Sequence, residues 1–248
     1  MVVKVGVRER VVGEVAALGV AGAGGVAVPR VVGVGEVGGV FVVVNTVVVG
    51  SSRIPRGVDV GRLRQLGSVA ARLGQIEVEV SEELPLRVRS IEDVDFAVER
   101  RGVAVWEAAE EVVAGVGAPG GLVGLVGLVH GDLWQGNTMW SGGVLSGLVD
   151  WDAAGVGSSG IDLASLRIDA AILYGDGAAD VVLEGWEREA GSAAEDVAYW
   201  DLVAALSTPP DMGGWASTIQ EQGREDLAAE VMTERRDAFL RAALAEWR

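Results

Sequence analysis

No cysteine occurs in the 248-residue sequence, which excludes disulfide frameworks, thiolate zinc sites and cysteine nucleophiles. His130 is the sole histidine, so a metal site built from several imidazoles is excluded as well. Lys4 is the only lysine; every other basic side chain is arginine. Long apolar runs are also missing. The longest, Val40–Val44 with Val47–Val49 and Leu122–Val129, fall well short of the roughly 20 residues that span a bilayer, so no membrane partner is expected. The opening Met1-Val-Val-Lys-Val-Gly lacks the basic start, apolar core and small-residue cleavage site of a signal peptide, and a cytoplasmic location is expected. Positive charge is scarce: the formal net charge is −16. Such a field repels phosphate backbones, which argues against a nucleic-acid partner. It favours a cationic ligand, although an acidic surface serves solubility first.

What is present is the composition of a globular protein, half apolar and 23% charged. Val2–Val5 reads as a strand and Arg8–Ala21 as a helix, with Val11, Val15 and Leu18 on one face and Glu14 midway. Val31–Val34 and Val40–Val44 read as strands joined by the turn-rich Gly35–Gly39, and Val47–Gly57 as a linker. Helical spacing then dominates: Val60–Leu73, Ile91–Val113 ending near Gly115 and Pro119, Ile161–Tyr174, Ala178–Ala190, Ala194–Leu206 and Arg224–Trp247. Between these lie two strand-like runs, Gly121–Val129 and Val144–Val149, separated by a loop and the turn Ser141-Gly142-Gly143. The pattern predicts a small β-rich unit over residues 1–50 and a larger helical unit over 51–248.

The chemistry-bearing residues cluster after Gly121–Val129. Phosphoryl transfer asks the protein for a carboxylate that orients and deprotonates an acceptor hydroxyl, and for oxygen ligands that hold magnesium on nucleotide phosphates. Protein kinases supply these from H-x-D-x-x-x-x-N followed by an aspartate at the end of the next hairpin. His130, Asp132 and Asn137 match that spacing position for position, and Asp150 follows 13 residues after Asn137, beyond a turn and a strand. An Asp-capped tight turn is the bland alternative for His-x-Asp alone; the added Asn137, Asp150 and preceding apolar strand count against it.

His130-Gly131-Asp132, with glycine at the centre, resembles the aminoglycoside phosphotransferase and choline kinase branch of the kinase-like fold. Gly147-Leu-Val-Asp-Trp-Asp-Ala-Ala-Gly-Val-Gly157 and Asp162-Leu163-Ala164 resemble the same branch. The similarity runs from Lys4 to roughly Trp200, and 129–167 is its most specific stretch. It implies an α+β, two-lobed protein-kinase-like fold. It implies that Asp132 is the catalytic base, that Asn137 and Asp150 are magnesium ligands, and that His130 and Asp162 brace the loop. For the last two, a buried satisfied histidine and a helix N-cap are the plainer readings. Lys4 on its strand and Glu14 on the next helix resemble the pair that contacts nucleotide phosphates; the alternative is an edge-strand charge and a solvated helix position.

In the family two strands and a phosphate-covering loop normally precede that lysine. Here Met1 stands three residues before it, so a truncated N-terminal lobe is expected. Asn45–Val47 falls where the family's hinge meets the nucleotide base, and ATP and GTP both remain open. For the acceptor, Trp186, Tyr199, Trp200, Asp201, Asp211 and Trp215 are candidates for an acidic, aromatic cleft suited to an amine-bearing sugar such as an aminoglycoside antibiotic. Against this kinase reading stands a catalytically weak pseudo-kinase or binding protein lacking the phosphate-covering hairpin. A metal-dependent phosphohydrolase is disfavoured by the missing histidines.

Overall fold

The computed structural model describes residues 1–91, 95–116, 126–175 and 177–247. The expected strand start at Gly121, the loop around Pro119 and part of the Ile91–Val113 stretch lie outside them.

Strand β1 (Val2–Gly6) leads into helix α1 (Arg8–Ala23), and β2 (Val31–Val37) forms a hairpin with β3 (Val40–Asn45). The three strands make an antiparallel sheet in the order β1-β3-β2, with Lys4 opposite Val43. Alternation along β3 buries Val43 and Asn45 against α1, whose Val11, Glu14, Ala17, Leu18 and Ala21 face inward at helical spacing. Glu14 is thus a buried carboxylate on an otherwise apolar face.

Asp59 ends the linker by accepting the Arg62 backbone N–H at 3.0 Å, which caps α2 (Val60–Gly74). Helix α2 packs along α5 (Ala178–Ala190) at very close range, because a Cβ on Gly67 would sit 1.9 Å from the Val182 carbonyl oxygen. Beyond come α3 (Ala104–Gly115), β4 (Val126–Val129), the hairpin β5 (Thr138–Ser141) and β6 (Val144–Leu148), and β7 (Gly155–Ser158) antiparallel to β4. Helices α4 (Gly160–Tyr174), α5, α6 (Val197–Leu206), α7 (Gly213–Glu221) and α8 (Ala229–Glu246) complete the chain.

Three helices start later than their periodicity predicts. The helix expected from Ile91 begins at Ala104, because Gly102 turns at φ +83° and donates its N–H to the Glu107 carboxylate at 2.9 Å. The one expected from Ala194 begins after Asp196, at φ +49°. The last begins at Ala229, because Arg224 closes a turn on Asp226 and Leu227 instead of entering the helix. Strand β7 and helix α7 were not expected: Gly-Val-Gly-Ser carries no alternation, and Gly213-Gly214 opens α7 with two helix-disfavouring residues.

The core divides into two apolar clusters, one around α1, α2 and α5, the other around α3, α4, α6 and α8. Strand β4 lies between them, so the period-2 alternation sends Leu128 into the first and Val129 into the second. Its end is therefore held from both sides, and the next residue is His130. Among the described residues no helix is long and apolar enough to cross a membrane.

Candidate active site

The loop after β4 is built on Asp162. This carboxylate, in the first turn of α4, accepts the backbone N–H of His130 at 2.7 Å and of Gly131 at 3.0 Å. The helix N-cap position belongs to Ser159, so the expectation that Asp162 caps α4 is corrected: its bonds go to the loop. His130 is fully buried. Its Nε2 lies 3.0 Å from the Val149 carbonyl, its Nδ1 lies 3.4 Å from the Asp132 N–H, and its ring tilts against Trp151 with centroids 4.6 Å apart. A carbonyl only accepts, so Nε2 carries the proton and Nδ1 accepts. Burial pushes the His130 pKa down to about 4, which keeps the ring neutral.

Gly131 allows the turn. It sits at φ +79°, and a Cβ there would lie 2.1 Å from the Ala153 carbonyl oxygen. The loop ending in Asp132 is thus pressed against the segment that carries Asp150. A short 3-10 turn over Gln135–Asn137 brings Asn137 back, and its Nδ2 donates to the Asp132 carbonyl at 2.8 Å and to Asp132 Oδ2 at 3.0 Å. The β5–β6 hairpin then returns the chain, with the Val149 N–H bonded to the Asn137 carbonyl at 2.9 Å. Asp150 follows at φ +68°, a left-handed conformation that costs a non-glycine residue about 1 kcal/mol or more and recurs at functional sites.

Lys4 joins the two halves. Its Nζ lies 2.7 Å from Glu14 Oε2 and 2.6 Å from Asp150 Oδ1, while Asn45 donates to Glu14 Oε1 at 3.2 Å. Arg10, one helical turn before Glu14, pairs with Asp152 at 3.3 Å. Burial opposes the Lys4 charge, but the bonds and charges of Asp150 and Glu14 outweigh it and raise its pKa. Asp132 behaves oppositely. Burial, partly offset by the Asn137 bond and reinforced by Asp150, Asp152 and Asp162, pushes its pKa up to about 7. That value suits a group that must give and take a proton near neutrality.

The structure thus brings Lys4, Glu14, His130, Asp132, Asn137, Asp150 and Asp162 into one connected set. Among the described residues no three His, Asp or Glu groups could hold a metal by themselves. Among the described residues, the available donors are the Asn137 Oδ1, which accepts no bond, and the Asp150 carboxylate, which is engaged by Lys4 alone. Two hard oxygen groups fit magnesium, which binds through one or two protein ligands and takes the rest from phosphates and water.

The residues proposed from sequence for the acceptor mostly fall elsewhere. Asp201 is buried in a pair with Arg167 at 2.9 Å, Trp186 packs in the α2–α5 cluster, Tyr199 and Trp200 meet edge to face, and Asp211 accepts the Gly213 N–H. Only Trp215 borders the cavity of about 290 Å³ that opens beside Asp132, together with Trp134, Ile168 and Asp169. Sequence reasoning also missed Gln135. Its N–H and Nε2 donate to Asp169 Oδ2 at 3.3 and 3.0 Å, and its Oε1 accepts from Arg62 at 3.1 Å, pinning the loop midway between Asp132 and Asn137. Nothing local marks that bond, because its partners lie on α2 and α4.

A small antiparallel sheet with one helix, joined to a helical body that carries a braced His-Gly-Asp loop and a hairpin-borne aspartate, defines a kinase-like phosphotransferase. The sequence profile described as the phosphotransferase enzyme family matches residues 4–200, and the chain belongs to that family of small-molecule kinases that phosphorylate hydroxyl groups. No curated protein matches it in sequence. Among solved structures, it is similar in fold to amicoumacin kinase hAmiN in complex with AMP-PNP and Ca2+ (TM-score 0.64, 15% identity, 98% of this chain and 81% of that one). It is similar also to the macrolide 2'-phosphotransferase MphH from Brachybacterium faecium (TM-score 0.52, 21% identity, 95% and 80%). A choline/ethanolamine kinase family protein from Mesorhizobium loti gives a TM-score of 0.56 at 19% identity, covering 98% and 85%.

Proposed function

We propose that this chain moves the terminal phosphate of ATP or GTP to a hydroxyl group of a small molecule, with residues 1–50 serving as the nucleotide lobe and 51–248 as the catalytic and acceptor lobe. The observation that carries this reading is the continuous set of contacts from Glu14 through Lys4 to Asp150, and from Asn137 to Asp132. Those contacts support a cation for phosphates, oxygen ligands for a metal and a part-buried carboxylate acting together.

In this reading Asn137 and Asp150 hold magnesium, which when bound neutralises charge on the nucleotide phosphates. Lys4 leaves Asp150 and turns to those phosphates, while Glu14, itself fixed by Asn45, keeps its hold on the ammonium. The Lys4–Asp150 contact is half-exposed, so breaking it costs little. Asp132 accepts a hydrogen bond from the acceptor hydroxyl. As that oxygen bonds to the terminal phosphorus, the bond from phosphorus to the bridging oxygen breaks, the nucleoside diphosphate departs, and the hydroxyl proton passes to the Asp132 carboxylate. His130 and Asp162 take no part in transfer; they fix the loop on which Asp132 stands.

Calorimetric titration with ATP and GTP tests this directly. Affinity is expected to rise on adding Mg2+ and to lose that dependence in Asp150→Ala. A wild-type chain whose nucleotide binding ignores Mg2+ would overturn the metal assignment.

A further inference from the structure

The cavity beside Asp132 has walls of a definite chemistry. Ile91, Phe96, Trp134, Ile168, Met212 and Trp215 supply most of them, and the remaining described neighbours are chiefly serine and threonine hydroxyls. Among the described residues two ionisable side chains line it, Asp132 and Asp169. Asp132 is committed to the transfer step. Asp169 spends Oδ2 on two bonds from Gln135, which leaves Oδ1 without a donor among the described residues. The cavity therefore offers one acceptor position besides the reacting carboxylate. Its volume, about 290 Å³, lies at the small end of ligand sites.

Two further acidic side chains of the helical body, Asp201 and Asp211, do not line this wall. Asp201 is consumed by Arg167, and Asp211 by its own turn. Long-range attraction speeds the approach of a cation, but it does not replace the local partners that each buried ammonium requires. A molecule carrying several ammonium groups would have to strip them of water against isoleucine, methionine and tryptophan. An apolar body gains from the same walls.

Resting on the phosphotransfer reading above, we infer that the acceptor is a small, largely apolar alcohol with at most one cationic centre, and not a polyamino sugar. The apolar body lies between Trp134 and Trp215, its hydroxyl meets Asp132, and a single ammonium or second hydroxyl meets Asp169 Oδ1.

The test is calorimetric titration of the full chain, without nucleotide and at physiological salt, with menthol, tropine and kanamycin as probes. Menthol or tropine is expected to bind at least about tenfold more tightly than kanamycin. Trp215→Ala and Phe96→Ala, at the partly exposed edge of the cavity, are each expected to weaken that binding about fivefold or more. The inference is overturned if kanamycin binds as tightly as either alcohol, if neither alcohol binds at millimolar concentration, or if both variants leave alcohol binding unchanged. Phosphate transfer is read separately. Transfer to kanamycin and to neither alcohol sinks this inference and leaves the phosphotransfer reading standing, whereas loss of all Mg2+-nucleotide binding sinks that reading without touching the alcohol titrations.

Discussion

Replacing Gly131 by alanine separates two costs that the active-site loop imposes. The first is backbone strain: at φ +79° an alanine is disfavoured by about 1 kcal/mol. The second is collision. The new Cβ would stand 2.1 Å from the Ala153 carbonyl oxygen and 2.9 Å from its carbon, where ordinary contact needs 3.4 Å or more. The segment from Trp151 to Val156 is held by the Ala154 N–H to Trp151 carbonyl bond and by pairing of β7 with β4, so it does not yield freely. Overpacking of this kind costs about 1–3 kcal/mol, for a total of about 2–4 kcal/mol. Gly142 is the matched control: φ is +60° and a Cβ there meets nothing within 4 Å, so Gly142→Ala should cost about 1 kcal/mol at most. Urea denaturation of the two variants against wild type measures the difference. Any displacement forced at Ala153 also moves Asp150 relative to Asp132, so Gly131→Ala should lose phosphate transfer beyond its loss of stability, while Gly142→Ala keeps it. Equal stabilities within about 0.5 kcal/mol, with equal activity, would refute the claim that this contact locks the two halves of the site.

Three further outcomes follow from the same geometry. Asp162→Asn turns one acceptor oxygen into a donor facing the His130 or Gly131 N–H, and thermal or urea unfolding should show a loss of about 1–3 kcal/mol. Lys4→Ala should weaken Mg2+-nucleotide binding and also lower stability by about 1–3 kcal/mol, since it leaves the buried Glu14 carboxylate without its cation; unchanged nucleotide affinity in the folded variant would remove Lys4 from the phosphate site. Asp132, Asp162, Asp169 and Asp201, raised by burial to about 7, 6, 6 and 6, each contribute stability that is lost as pH rises through those values, whereas His130, lowered to about 4, contributes stability lost as pH falls below 6.5. Four aspartates outweigh one histidine, so the chain should be more stable at pH 5 than at pH 7 by about 4 kcal/mol, and a melting temperature that rises over that interval would contradict the burial argument.

The loop from His130 to Asn137 was legible in the sequence because its geometry is local. The spacing His130–Asp132–Asn137 fixes which side chains one tight turn can present, and the turn at Gly142-Gly143 returns Asp150 within a single hairpin. Lys4 and Glu14 were legible for a similar reason, as a strand lysine and a mid-helix carboxylate on consecutive elements. The contact between Lys4 and Asp150, 146 residues apart, was not, since only the packing of the sheet and α1 against the hairpin creates it. The cavity beside Asp132 was not legible for the opposite reason. Trp186, Trp200 and Asp201 have the side chains of a ligand cleft, yet their helix faces turn inward, and burial of an aromatic or of an Arg–Asp pair looks the same in sequence as a binding residue does. Trp134 lies between Asp132 and Asn137, but a loop residue carries no periodicity to say which way it faces. Helix starts were misplaced wherever a side-chain bond or a left-handed residue held the chain out of the helix, as at Gly102 and Asp196.

The central claim is that Asp132 takes the acceptor's proton. Asp132→Asn preserves shape and the contact to Asn137 while removing basicity, so Mg2+-nucleotide binding should be nearly unchanged. The rate of phosphate transfer from ATP or GTP, measured with whichever hydroxyl compound the wild-type chain phosphorylates, should fall by about 10²–10⁴-fold. Transfer that survives Asp132→Asn undiminished would contradict the account.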